Sequence, residues 1–140
     1  MIRTTLIACA GMALAGPIAN AILATLALVA IKVGLASGWW ERGFEGGFHG
    51  FIVAVGDSGG LAGLASFLSV LFALNVLLFL FNLMPFPPLD GAAIVHGLVP
   101  PARPFYDWLG EMPMGSLIGI LLAWWAFKFV WVLVPFWLLI

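Results

Sequence analysis

Residues 81–95, FNLMPFPPLDGAAIV, close a long uncharged apolar run with three prolines, an aspartate and a glycine. Proline removes a backbone donor and pushes the preceding residue toward extended conformations, so a helix is not expected to continue through Pro85, Pro87 and Pro88. Backbone opened at membrane depth is tolerated only where protein buries it or where it lines a watery cavity. An aspartate at such depth costs roughly 2.5–3.5 kcal/mol on insertion scales, which marks Asp90 as a candidate functional residue. Physics alone leaves its role open: a metal ligand, a proton carrier, a polar partner, or an inert, solvated helix N-cap at the interface. Gly91 beside it permits a tight turn or a close backbone approach.

The rest of the chain sets the solvent in which those residues are read. Of 140 residues, 64% are hydrophobic and 8% charged, against about a quarter charged in a soluble domain. The expectation is a small all-α, multi-pass integral membrane protein whose first partner is the lipid bilayer. A net charge of −1 without any basic block argues against a nucleic-acid partner. Cys9 is the single cysteine, so there is no disulfide framework and no CxxC metal site. The start, MIRTTLIACAGMALAG, superficially resembles a secretory signal ending at Ala13-Leu14-Ala15, or a lipoprotein box at Cys9. Its apolar run does not stop there but continues to Ile31, and the segment between Arg3 and Cys9 is too short for a signal core.

Three spans are expected, at about 17–35, 61–83 and 114–140, joined by loops at 36–60 and 84–113. Pro17 suits the first turn of a helix, where a missing N–H costs nothing, so the first span is started there. Residues 4–15 are then too short to cross a bilayer and read as the end of something begun upstream. Lys32 is expected to snorkel, and Trp39 and Trp40 to sit in an aromatic belt. The 36–60 segment holds eight of the seventeen glycines, with FIVAV as a short strand-like piece. In the second span Asn75 and Asn82 are seven apart, on one helix face, where amides should bond across to other helices. Residues 100–113, PPARPFYDWLGEMP, read as a polar proline-rich loop. Lys128 near the middle of the last apolar stretch leaves one long helix or two short segments equally open. With three spans, Arg3 and Arg103 lie on one side and Lys32 and Arg42 on the other, so positive charge does not orient the chain.

Catalytic constellations are sparse. A catalytic zinc usually takes three protein ligands, and the further candidates are Cys9, Glu41, Glu45, His49, Asp57 and His96. Glu45 and His49 do not fit HExxH, since Phe44 and Phe48 stand where its histidines belong. His96 lies six residues after Asp90 and points to a different helix face, so it reads as a packed or interfacial histidine, as does His49. GDSGG at 56–60 matches the active-serine region of trypsin-like proteases only in letters, and reads as a flexible turn. Ser58, Ser66, Ser69 and Ser116 lack a nucleophile-elbow context.

Two stretches together resemble the site-2 protease family of intramembrane zinc metalloproteases. LAGPIANAIL at 14–23 is similar to the family's AGPxAN segment, with Gly16, Pro17 and Asn20. LNVLLFLFNLMPFPPLDGAAIVHGLVPP at 74–101 fits its NxxPxxxxDG pattern with Asn82, Pro85, Asp90 and Gly91, and Asn75 matches as well. The resemblance implies that Asp90 is the third zinc ligand, that Asn82 helps position the site or the substrate strand, and that complete members hydrolyse peptide bonds within transmembrane protein substrates. In that chemistry zinc activates water and a glutamate moves the proton. The family's HExxH helix, with two histidine ligands and the catalytic glutamate, precedes AGPxAN and is absent from these 140 residues. The expectation is therefore a C-terminal portion of such a protease that does not hold zinc or act alone. The alternatives are a short inactive pseudoprotease or interaction subunit, and a small proton or ion transport component.

Overall fold

The computed structural model describes residues 2–43, 52–56 and 59–133. Helix α1 spans Ile2–Ala36 and α2 spans Gly59–Asn82, with a two-stranded hairpin of β1 (Trp40–Arg42) and β2 (Ile52–Ala54) between them. Three shorter elements follow: α3 (Asp90–Leu98), a 3₁₀ turn at Pro100–Ala102, and α4 (Arg103–Glu111). The last described helix, α5, runs Gly115–Leu133. Glu45, His49, Asp57 and Ser58 lie outside the described residues.

Two described helices are long and apolar enough to cross a membrane, Ile7–Ala36 and Gly59–Asn82. At 1.5 Å per residue, 30 and 24 residues reach about 45 and 36 Å, beyond the ~30 Å hydrocarbon core. The segments Pro100–Glu111 and Gly115–Phe129 meet the same test only as a pair, and they are bent by 115° at the break between them.

Two expectations need correction, and one open alternative is resolved. The first helix does not start at Pro17: α1 is continuous from Ile2, so residues 4–15 are part of a span-length helix, with Pro17 fully buried inside it. A proline in an apolar helix frees one carbonyl, here that of Ala13, and packing against protein makes that tolerable. Residues 103–111 of the supposed loop form α4. Its Pro104 sits in the first turn, where a missing N–H is harmless. Among the described residues the final apolar stretch is one helix through Lys128, not two segments.

The chain divides into two compact units. The described residues of one lie within Asn20–Leu77. Within it, α1 buries Ala24, Ala27, Ile31 and Gly34, a 3–4–3 spacing that puts one narrow stripe inward. Gly38, at φ 72°, ends α1 in the left-handed region that glycine enters freely, with Trp39 N–H donating to Gly34 O at 3.0 Å. The turn feeds β1, which pairs antiparallel with β2 in the register Trp40↔Ala54, Glu41↔Val53, Arg42↔Ile52. Trp40 is not a belt residue. Its indole is buried over Gly34 and donates from Nε1 to Ile31 O at 3.0 Å, whereas Trp39 is exposed. Asn75 is also corrected: its buried amide donates back to Leu71 O in its own helix at 2.7 Å. An i−4 carbonyl is always within reach of a helical side chain, and here it serves as the partner.

The other unit comprises the chain up to Ala19 and Leu78–Val134. Its buried positions are dominated by small residues: Ala10, Gly91, Ala92, Gly97, Gly115, Gly119 and Ala123. Apolar surface alone gives helices in lipid no reason to associate, so close approach through small residues is the favourable contact left.

The indole seat on Gly34 gives a direct test. A methyl group there would collide with the Trp40 ring, whereas Gly63 faces open space. Gly34→Ala is expected to lower unfolding free energy in an SDS titration by about 1–3 kcal/mol, the usual range for overpacking. Gly63→Ala should be neutral or slightly stabilising. Equal behaviour of the two variants would refute the seat.

Candidate functional site

Between α2 and α3 the chain turns without regular structure through residues 83–89, which hold all three prolines of the opening stretch. α2 ends on Asn82, which is half-buried. Leu83 and Met84 close its last turn through 3.1 Å bonds to Phe79 O and Phe81 O. The Pro87–Pro88 peptide is cis. Leu89, extended at φ −72° and ψ 155°, is the N-cap of α3, so Asp90 is the first helical residue and not the cap that the inert reading required. Its half-buried carboxylate lies in the first turn, where the partial positive charge of the helix end favours an anion.

Glycines set the packing around this turn. A Cβ on Gly91 would overlap the carbonyls of Leu83 and Met84, so the start of α3 lies directly on the end of α2. A Cβ on Gly119 of α5 would overlap the Pro87 carbonyl. On α1, a Cβ at Gly16 would stand 3.0 Å from Asp90 Oδ2. The AGPxAN-like and DG-containing stretches, far apart in sequence, therefore meet at Gly16 and Asp90. Pro17 is buried beside Gly16, and Asn20 is half-buried one turn further along α1. Pro85 is exposed, but its carbonyl accepts a 2.8 Å hydrogen bond from Tyr106 Oη on α4. Partial burial raises the Tyr106 phenol above its usual value near 10, so it remains a donor throughout the neutral range.

His96 faces away from Asp90 in sequence register and is engaged elsewhere: its Nε2 lies 2.9 Å from Asp107 Oδ1 on α4. Arg103 completes the clasp, donating from Nε to His96 O at 3.2 Å and from Nη2 to Gly97 O at 3.1 Å. Those carbonyls end α3 and have no helical partner, so the guanidinium acts as its C-terminal cap. A shallow hollow of about 230 Å³ lies beside the turn, lined by Pro87, Leu89, Ala92, His96 and Tyr106 among others.

Sequence reasoning missed Arg103, Tyr106 and Asp107. The signal was available: Arg103, Asp107 and Glu111 recur every fourth residue, as one face of a helix requires. The prolines on either side masked it.

As a metal centre the described residues are incomplete. No three of His, Cys, Asp and Glu converge among them. Asp90 offers one carboxylate, while a catalytic zinc takes three protein ligands. The described residues therefore do not fit zinc by themselves.

No family model matches the chain, and no solved structure matches it. One curated protein is similar over a short stretch: "Putative zinc metalloprotease YwhC" of Bacillus subtilis (strain 168), 59% identical over 39 residues. That stretch is 28% of this chain, and the chain spans 18% of the relative's length.

Proposed function

We propose that this chain contributes Asp90 as one zinc ligand of a site-2-protease-like intramembrane metalloprotease. Its remaining ligands, on this reading, lie on an HExxH-bearing helix outside these 140 residues. The observation that carries the reading is the approach of Gly16 to the Asp90 carboxylate, which brings two family-like segments to one point. The 39-residue similarity to a protein described as a zinc metalloprotease also supports it. The chain's own residues then have distinct roles. Gly16 leaves room for the carboxylate, Gly91 and Gly119 hold the turn that presents it, and the half-buried Asn82 is assigned the family-like role of helping position the site or the substrate strand. The activity on this reading is hydrolysis of peptide bonds in transmembrane protein substrates.

Two measurements test the proposal. Metal analysis of the detergent-purified 140-residue chain is expected to show far less than one zinc per chain, because a lone carboxylate does not retain it. Joined to an HExxH-bearing helix, the same chain should bind close to one, and Asp90→Ala should remove it. One zinc on the isolated chain, lost in Asp90→Ala, would show that its own residues complete a site.

The second readout is cleavage of a model transmembrane substrate by the joined chain, with protein level followed in the same membranes. Asp90→Ala and Asp90→Asn should each abolish cleavage at normal expression, since one loses the ligand and the other its charge. His96→Ala should keep most activity, because its imidazole is held by Asp107 away from Asp90. Full activity in Asp90→Ala, or loss in His96→Ala at normal expression, would refute the assignment.

A further inference from the structure

The outward face of α4 takes no part in the Asp90 site. Three side chains fix which way this helix faces: Tyr106 bonds to Pro85 O, Asp107 to His96, and Arg103 to the carbonyls of His96 and Gly97. At 100° per residue the opposite side carries Phe105 and Trp108. They are 56% and 53% exposed, with ring centroids 6.2 Å apart.

We propose that α4 is an interfacial anchor, lying in the bilayer surface with Phe105 and Trp108 seated at the boundary between headgroups and acyl chains. The bend to α5 supplies the direction. If α5 follows the membrane normal, 115° less a right angle leaves α4 about 25° from the membrane plane. The outer surface of α5 is apolar, with Leu117, Leu121, Trp124 and Phe129 all exposed, so the aromatic pair on α4 continues a surface suited to lipid. Deeper burial is opposed by composition: Arg103, Asp107 and Glu111 share this nine-residue helix and would enter the hydrocarbon with it. Full exposure to water would leave the aromatic pair uncovered. The interface accommodates both faces, and Trp is enriched there because its ring is apolar and its N–H is not. This inference does not depend on the role proposed for Asp90.

The test uses the whole chain in phosphatidylcholine vesicles. In a Cys9→Ser background, Phe105→Cys, Trp108→Cys and Glu111→Cys are made singly and carry a nitroxide. Accessibility to oxygen is compared with accessibility to a water-soluble nickel chelate. The labels at 105 and 108 should lie about 5–10 Å into the boundary, and the label at 111 should be several-fold more accessible to nickel. A second measurement keeps the native fold: quenching of Trp108, taken as the difference between wild type and Trp108→Phe, in lipids brominated at shallow or deep chain positions. Shallow bromines should quench it more strongly. Nickel accessibility at 105 and 108 equal to that at 111, or no quenching from either depth, would place α4 in water. Labels near the bilayer centre, or stronger quenching by deep bromines, would mean a re-entrant hairpin. Either result overturns the proposal.

Discussion

Everything around the candidate site depends on covering the backbone between Leu83 and Leu89. A helix satisfies its own carbonyls; a proline-rich turn does not, and in an apolar surrounding each unmet group costs several kcal/mol. The structure covers that backbone with protein and gives one of its carbonyls a side-chain donor. Gly91 lies on the Leu83 and Met84 carbonyls, Gly119 lies on that of Pro87, and the Tyr106 hydroxyl bonds to that of Pro85. Three elements of one unit thus converge on a single seven-residue turn, and Asp90 inherits its position from all of them.

The same residue type carried opposite meanings at two places, which shows how far sequence reasoning reaches. Three prolines within residues 85–88 remove more hydrogen bonds than one helix can lose, so composition alone says that regular structure is difficult there. A lone Pro17 removes one, and whether α1 begins at it or runs through it depends on packing that no local pattern encodes. Helix α4 was illegible for a related reason. Nine residues are too few to form a stable helix on propensity, and what holds this one is the clasp from Arg103, Tyr106 and Asp107 to α3 and the turn. The apolar lengths of α1 and α2 were readable because hydropathy is a property of residues, not of partners.

Of the candidate site, Asp90 and its glycine neighbour stood out through cost alone: an acid in an oily chain is conspicuous wherever it falls. The nearness of Gly16 was not derivable from composition or periodicity, since it is a contact between segments far apart in the chain. Asn75 shows the converse. Its spacing from Asn82 suggested bonding between helices, but the amide found a carbonyl one turn back in its own helix. Periodicity assigns a face and leaves the partner undetermined.

The order in which these parts leave the ribosome has its own consequence. The 83–90 segment is made after the α1 glycine that abuts its carboxylate and before the α4 and α5 groups that cover its carbonyls. During synthesis there is therefore an interval in which α2 is complete and the turn behind it lacks the α4 and α5 part of its cover. The cover of this turn is thus complete only once the C-terminal half, with α4 and α5, has been made.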